Sequence, residues 1–136
     1  MNSCIICRII KKELPAHIIY SNDRFVAFLD INPINPGHLI VSPLTHVDYV
    51  FDLDDATYSD LFRIARRLSR PLKTATNARR IALAIEGFGI PHVHVHLVPV
   101  NSGNELNPER QAPAHMQELE RMATMICSAL DADGKR

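Results

Sequence analysis

Alternating and clustered apolar residues predict a series of short β-strands along most of the chain. The predicted strands cover residues 17–21, 24–30, 38–42, 80–86 and 93–100. The sequence Ser-Asn-Asp at 21–23 has the composition of a hairpin turn between the first two strands. Pro33, Pro36 and Gly37 predict a loop before the third strand.

Apolar residues that recur every three or four positions predict two longer helices. The first helix is expected to begin at Asp52 as its N-cap, and its predicted apolar face is Leu61, Ile64, Ala65, Leu68, Leu72 and Ala75. Pro71 lies inside this pattern and is expected to kink or divide the helix. The second helix covers about 113–130, with Pro113 at its first position. The pattern predicts the α+β class, in which an antiparallel sheet carries one long helix.

The length of the chain, 136 residues, predicts one domain over 1–136, with a core of about 4–100 and a C-terminal helical tail at about 113–130. The 15 acidic and 15 basic residues balance, so we expect no nucleic-acid partner and favour a small phosphorylated ligand. The sequence has no apolar run of about 20 residues and no signal-peptide pattern near its start. We therefore expect a cytoplasmic protein that does not enter the membrane.

The segment 92–98, His-Val-His-Val-His-Leu-Val, carries the strongest chemical signal in the sequence. Strict alternation predicts a strand with all three imidazoles on one face, spaced by roughly 6.6 to 7 Å. Three interpretations compete: surface histidines on an edge strand, a metal site, or nucleophilic catalysis at phosphorus by a neutral imidazole. An imidazole suits the last role because both of its protonation states are accessible near neutral pH.

This segment resembles the signature of the histidine triad (HIT) superfamily of nucleotide hydrolases and transferases. The segments 27–33 and 36–43, together with His46, are similar to the central strand pair of that family, and 4–10 with Glu13 and Pro15 resembles the opening of many bacterial members. The resemblance covers about residues 4–100. It implies a HIT-like fold with a five-stranded antiparallel sheet, one long helix and a C-terminal helix, and a homodimer in which two sheets join.

The resemblance also implies a role for each matching residue. His94 would attack the α-phosphate and carry a transient nucleotidyl group, which water then removes. His96 would contact the phosphate or assist the leaving group, and His38 would close the same polar cluster. Asp30 would accept hydrogen bonds from the ribose hydroxyls. The residues implied to line an apolar pocket for the base, with a purine as the expected ligand, are Ile6, Ile9, Phe28 and Ile31.

The pair Cys4 and Cys7 is open to two interpretations, half of a metal site or core packing, because a disulfide framework is not expected in a cytosolic chain. In some HIT proteins and a related uridylyltransferase, such a pair joins two histidines around a structural zinc. The matching set here is Cys4, Cys7, His46 and His92, a combination suited to tetrahedral zinc. In that case His92 would hold metal, and the chemistry itself would need no cofactor.

The chain departs from the better-studied HIT branches just before the triad. Those branches carry an Asn and a Gly-Gln-Ser-like stretch, whereas residues 86–91 here are Glu-Gly-Phe-Gly-Ile-Pro. Three functions therefore remain: a hydrolase of nucleoside phosphoramidates or dinucleoside polyphosphates, a nucleotide-binding or signalling module with weak catalysis, and an enzyme whose triad holds a catalytic metal.

Overall fold

The computed structural model describes residues 4–134, so the two ends of the predicted domain lie outside the described residues. Five strands, β1 to β5, cover Ile18–Ser21, Phe25–Leu29, Leu39–Pro43, Arg80–Ala84 and Val95–Val100. Three helices, α1 to α3, cover Ile5–Ile10, Asp55–Thr76 and Met116–Ala132. Two short 3-10 turns lie at Val50–Asp52 and Pro108–Arg110. The predicted α+β class and the five-stranded sheet are confirmed.

The five strands form one antiparallel sheet in the order β1-β2-β3-β5-β4. Alternate residues along β2 and β3 belong to two different apolar clusters, because successive side chains of a strand point to opposite faces. Ala27 and Val41 contact the main core under α2 and α3, whereas Phe28 and Ile40 contact the smaller cluster around α1. The smaller cluster therefore lies on the face of the sheet away from the long helices.

Register places the catalytic candidates on that same α1 face. Ile40 of β3 pairs with His96 of β5, and Val41 pairs with Val95. Val95 and Leu97 belong to the main core, so His96 between them points to the other side of the sheet, toward α1. The strand order thus brings the middle of the sheet and a short N-terminal helix around one cavity.

The long helix differs from its prediction in two respects. It begins after Asp54, whose carboxylate accepts the backbone N–H of Thr57 at 2.9 Å, and the predicted cap Asp52 lies in the preceding 3-10 turn. The helix is also not divided at Pro71. Pro71 is buried on the apolar face, and this packing compensates for the backbone hydrogen bond that proline cannot make.

Two further boundaries are corrected by hydrogen bonds made outside the regular elements. Helix α3 begins at Met116 rather than Pro113, because the backbone N–H of Ala114 donates to the carbonyl of Ile31 and keeps this residue in the preceding segment. Strand β5 begins at Val95 rather than Val93, whose N–H instead donates to the carbonyl of Val47 at 2.7 Å. Among residues 4–134, no helix combines the length and apolar character needed to cross a bilayer.

Candidate functional site

A cavity of about 860 Å³ lies on the α1 face of the sheet. Its wall is mostly apolar, and a few polar side chains converge on it, as in small-molecule sites generally. Eight residues predicted to act in catalysis or nucleotide binding line this one cavity: Ile6, Ile9, Phe28, Asp30, Ile31, His38, His94 and His96. The four predicted metal ligands form a separate cluster.

His94 lies immediately before β5, where its ring is held by the backbone. Its Nδ1 lies 2.7 Å from the carbonyl oxygen of His92, so Nδ1 must carry the proton and donate it. In a neutral imidazole the other nitrogen, Nε2, then has an unprotonated lone pair. His94 lines the cavity, and only 6% of its surface is exposed. The carbonyl of His92 thus assigns Nδ1 as the donor and leaves Nε2 as the nitrogen that can act as a nucleophile.

His38 and His96 form a second polar unit beside it. The backbone N–H of Ile34 donates to Nδ1 of His38 at 3.0 Å, so the proton of this ring lies on Nε2. That Nε2 lies 2.9 Å from Nδ1 of His96 and donates to it. His96 must therefore carry its own proton on Nε2. A backbone amide thus sets the tautomers of two successive imidazoles, and His96 is left with an N–H donor.

The electrostatics of the cavity keep these rings neutral. Burial, with a smaller contribution from the neighbouring His96, lowers the pKa of His38 to about 3. Burial, with a smaller contribution from His94, lowers the pKa of His96 to about 4. Both side chains are therefore uncharged near neutral pH, and His96 is a hydrogen-bond donor rather than a strong acid.

Asp30 follows β2 at the edge of the cavity. Its Oδ1 accepts the backbone N–H of Asn32 at 2.9 Å, and its Oδ2 accepts the side-chain amide of Gln111 at 3.3 Å. The same Oδ2 lies 3.6 Å from Nε2 of His38, too far for a good hydrogen bond. Burial raises the pKa of Asp30, and the Asn32 amide partly opposes this effect. The carboxylate is thus fixed in place close to the imidazoles.

Four metal-binding atoms lie within 4.8 Å of one another, one from each of Cys4, Cys7, His46 and His92. The two Nδ1 atoms lie 3.2 Å apart, and Sγ of Cys7 lies 3.2 and 3.4 Å from Nδ1 of His46 and of His92. Zinc with ordinary bond lengths in a tetrahedron separates two nitrogens by about 3.3 Å, and a nitrogen from a sulfur by about 3.6 Å. The donor set and its spacing fit a tetrahedral zinc ion.

His92 is oriented for metal binding by its other nitrogen. Its Nε2 lies 2.8 Å from the carbonyl oxygen of Pro43 and donates to it, which leaves Nδ1 unprotonated and directed at the cysteines. Burial lowers the pKa of His92 and so favours the neutral form that binds metal. Val93, Val95 and Leu97 belong to the main core, so the three histidines that alternate with them point to the α1 face, as predicted. Within that face His92 precedes the strand and contacts His46, while the rings of His94 and His96 contact each other.

Several residues of the cavity wall were not predicted from the sequence. They are Ile5, Phe88, Ile90, Leu106, Pro108 and Gln111, among others. The sequence around Phe88 could have indicated a ligand contact, since this large aromatic residue lies between two glycines in a predicted turn. No such indication exists for Gln111, because an isolated glutamine 81 residues from Asp30 has no periodicity or motif that would reveal the contact.

Comparison with known proteins identifies the family. The HIT domain family model matches residues 11–103, more than half of the chain. The chain belongs to the HIT family. A HIT-like protein of Borreliella burgdorferi, described as uncharacterized, is 32% identical in an alignment 124 positions long, which covers 80% of this chain and 89% of that protein.

Two further relatives of this HIT protein have names that describe chemistry. Adenosine 5'-monophosphoramidase HNT1 of Saccharomyces cerevisiae is 36% identical over 98 residues, covering 71% of this chain and 62% of the yeast protein. The crystal structure of a Zn-bound histidine triad family protein from Mycobacterium smegmatis superposes with a TM-score of 0.84 at 26% identity, covering 98% of each chain. The predicted HIT-like fold is thus confirmed.

Proposed function

We propose that this HIT protein is a hydrolase that releases a nucleoside monophosphate from nucleoside phosphoramidates or dinucleoside polyphosphates through a covalent intermediate on His94. The observation that carries the proposal is the His94 ring itself. Its Nδ1–H donates to the carbonyl of His92 at 2.7 Å, which leaves Nε2 as the nucleophilic atom, and the ring lines the large cavity. The monophosphoramidase name of the yeast relative supports this class of reaction.

The reaction proceeds in two displacements at the α-phosphorus. In the first, the Nε2–phosphorus bond of His94 forms while the bond from phosphorus to the leaving group breaks, and the leaving group takes up a proton from the solvent, which the second displacement returns. In the second, water attacks phosphorus, the nitrogen–phosphorus bond breaks, and the proton of the water is released. His96 donates its Nε2–H to the phosphoryl oxygens, where negative charge develops in each transition state.

The rest of the cavity binds the nucleotide. Asp30 accepts hydrogen bonds from the ribose hydroxyls, and the purine base packs against Ile6, Ile9, Phe28 and Ile31 in the apolar part of the wall. His38 takes no part in bond making. It holds the ring of His96 in the donor tautomer through the 2.9 Å hydrogen bond.

We further propose that Cys4, Cys7, His46 and His92 hold a structural zinc ion, and that the proposed reaction needs no other cofactor. The ion would supply no chemistry at phosphorus, since its ligands lie outside the row of His38, His94 and His96. It would brace the segment before β5 against α1. The zinc-bound mycobacterial structure supports this assignment.

A homodimer in which two sheets join is also part of the proposal. Strand β4 forms one edge of the sheet, and Leu83 on this strand is 43% exposed. An exposed edge strand pairs readily with another strand, and a second copy would cover it. Light scattering at micromolar concentration should give the mass of a dimer, and a monomer mass would contradict this part of the proposal.

The decisive experiment compares wild type with His94→Ala and, as a matched control, with His115→Ala at an exposed position outside the cavity. Each protein is incubated with adenosine phosphoramidate and with diadenosine polyphosphates, and the released AMP is quantified by chromatography. We expect release by wild type and His115→Ala, and loss of release by His94→Ala with AMP binding retained. Activity of His94→Ala equal to that of wild type would refute the mechanism.

One observation favours a second function, a nucleotide-binding module with weak catalysis. The loop before the triad contributes Glu86, Phe88, Gly89 and Ile90 to the cavity wall, and the Asn and Gly-Gln-Ser-like stretch of better-studied HIT branches is missing there. If wild type binds AMP but releases it from every candidate substrate at the background rate, this second function replaces the first. The third possibility, a catalytic metal at the triad, predicts activity lost to a chelator and restored by metal.

A further inference from the structure

The segment between β5 and α3, residues 101–115, is built onto the loop that follows β2. Arg110 Nη2 donates to Oδ1 of Asn35 at 2.6 Å, and the backbone N–H of Ala114 donates to the carbonyl of Ile31 at 3.1 Å. Asn35 in turn donates to the carbonyl of Pro99 at 2.8 Å. This segment therefore has a defined position over the cavity, and it supplies Leu106, Pro108 and Gln111 to the cavity wall.

Gln111 makes the most specific of these contacts. Its Nε2 donates to the carbonyl oxygen of Asn32 at 2.8 Å and to Oδ2 of Asp30 at 3.3 Å. An amide nitrogen has two hydrogens, so both of its donors are used by this one loop. The side-chain amide thus connects the carboxylate of Asp30 to the backbone two residues later.

The hydrogen-bonding capacity of Asp30 shows what this contact does. An ionised carboxylate has about four acceptor positions. The Asn32 amide occupies one of them on Oδ1, and Gln111 occupies one on Oδ2. About two positions remain, one on each oxygen, which matches the two vicinal hydroxyls of a ribose. A neutral donor such as glutamine orients the carboxylate without the competing ion pair that lysine or arginine would form.

We infer that Gln111 is a positioning residue that holds Asp30 for the ribose hydroxyls, and that it thereby sets the preference of the site for ribonucleotides over deoxyribonucleotides. The inference rests on the proposed function, because it requires Asp30 to contact a ribose. It adds a residue outside the part of the chain matched by the HIT domain family model.

The test is calorimetric binding of AMP and 2'-deoxy-AMP to wild type, Gln111→Ala and Gln117→Ala. Gln117 is an exposed glutamine six residues further along the chain, in α3 and outside the cavity wall, so it is a matched control. We expect wild type to prefer AMP. Gln111→Ala should weaken AMP binding by roughly threefold to tenfold and 2'-deoxy-AMP binding less, so that the preference shrinks. Gln117→Ala should behave as wild type.

A second variant, Gln111→Glu, keeps the length of the side chain but replaces the donor by an acceptor that repels Asp30. It should lose more AMP affinity than Gln111→Ala, and its thermal unfolding monitors whether the fold is intact. If Gln111→Ala loses affinity for both nucleotides equally, so that the preference for AMP over 2'-deoxy-AMP is unchanged, the inference is overturned while the proposed function stays intact. Failure of wild type to bind AMP at all overturns the proposed function, and the inference with it.

Discussion

Nδ1 of His94 lies 2.7 Å from the backbone carbonyl oxygen of His92, and the imidazole of His92 lies in the cluster with Cys4, Cys7 and His46. One residue therefore contacts both sites, the proposed nucleophile through its backbone and the proposed metal through its side chain. Because the His92 carbonyl determines which nitrogen of His94 carries the proton, displacement of residue 92 would disturb the tautomer and orientation of the nucleophile.

Loss of a zinc ligand is expected to affect stability and catalysis together. Cys7→Ser should reduce the zinc content to well below one ion per chain and lower the unfolding temperature by on the order of 10 °C. It should lower kcat more than it raises KM, because the nucleophile rather than the nucleotide pocket is disturbed. Metal analysis, calorimetry and steady-state kinetics measure these effects.

The matched control for this variant is Cys127→Ser. Cys127 lies in α3, where it packs against the main core with Sγ 3.9 Å from the carbonyl of Ile19, away from the metal cluster. The Cys127→Ser variant should retain the zinc content and the kcat of wild type. A full complement of zinc in Cys7→Ser would show that the cluster does not depend on this thiolate.

The buried imidazole of His38 and the half-buried imidazole of His96 should make the stability of the protein depend on pH. The folded-state pKa values of His38 and His96, about 3 and about 4, lie below the ordinary value of 6.5. Between these values the unfolded chain binds protons that the folded chain does not, so the free energy of unfolding falls as the pH falls from about 6.5 to about 4. The raised pKa of Asp30 acts in the opposite direction at the acid end of this range.

A comparison of variants isolates the contribution of the histidine pair. His38→Gln removes one of the two titrating rings, so its unfolding free energy should decrease less steeply from pH 6.5 to pH 4.5 than that of wild type. His115→Gln, at the exposed N-cap of α3, should keep the wild-type slope. Denaturant titrations at several pH values give these slopes, and parallel curves for wild type and His38→Gln would contradict the assignment.

Phe88 should contribute to nucleotide binding. It is 82% exposed, lines the cavity, and lies between Gly87 and Gly89, which both have positive φ angles. An aromatic side chain held in this way can stack on a base, an interaction worth about 1 to 3 kcal/mol. We expect Phe88→Ala to raise KM about tenfold with little change in kcat.

The control is Phe51→Ala, at another exposed aromatic residue outside the cavity wall, which should leave KM unchanged. An equal KM in both variants would exclude stacking by Phe88.

Gly37 should be required for the geometry of the loop that carries His38. Its φ is +93°, and a Cβ added there would lie 2.7 Å from Cγ2 of Thr76 and 3.1 Å from Cγ of Pro99. Gly37→Ala is therefore expected to destabilise the fold by about 2 kcal/mol or more, because backbone strain and overpacking add. Thermal unfolding measures the loss.

Gly103→Ala is the matched control, since among the described residues nothing lies within 4 Å of a Cβ added at that position. Its unfolding temperature should stay close to that of wild type. Equal unfolding temperatures for Gly37→Ala and Gly103→Ala would contradict the requirement for glycine at position 37.

The sequence by itself determined much of the fold, because strand alternation and helical periodicity are patterns of neighbouring residues that can be recognised without the tertiary structure. The apolar face of α2, the order of strands and helices, and the segment 92–98 were all readable in this way. Local patterns did not locate the true start of α3, since its boundary depends on the hydrogen bond from Ala114 to distant Ile31. They also suggested that Pro71 could divide α2, whereas burial of this residue keeps the helix continuous.

The tertiary structure decided the properties on which the chemistry depends. The alternation of histidines predicted only that three imidazoles share one face. Tertiary packing places the cysteines and His46 beside His92, and it leaves His94 and His96 in the cavity. The tautomers of His38 and His94 depend on backbone groups in their surroundings, and the contact of Gln111 with Asp30 joins residues 81 positions apart. The contact of Gln111 forms only when distant segments pack together, and the two tautomers depend on the local backbone conformation that the fold imposes. No periodicity along the chain encodes either property.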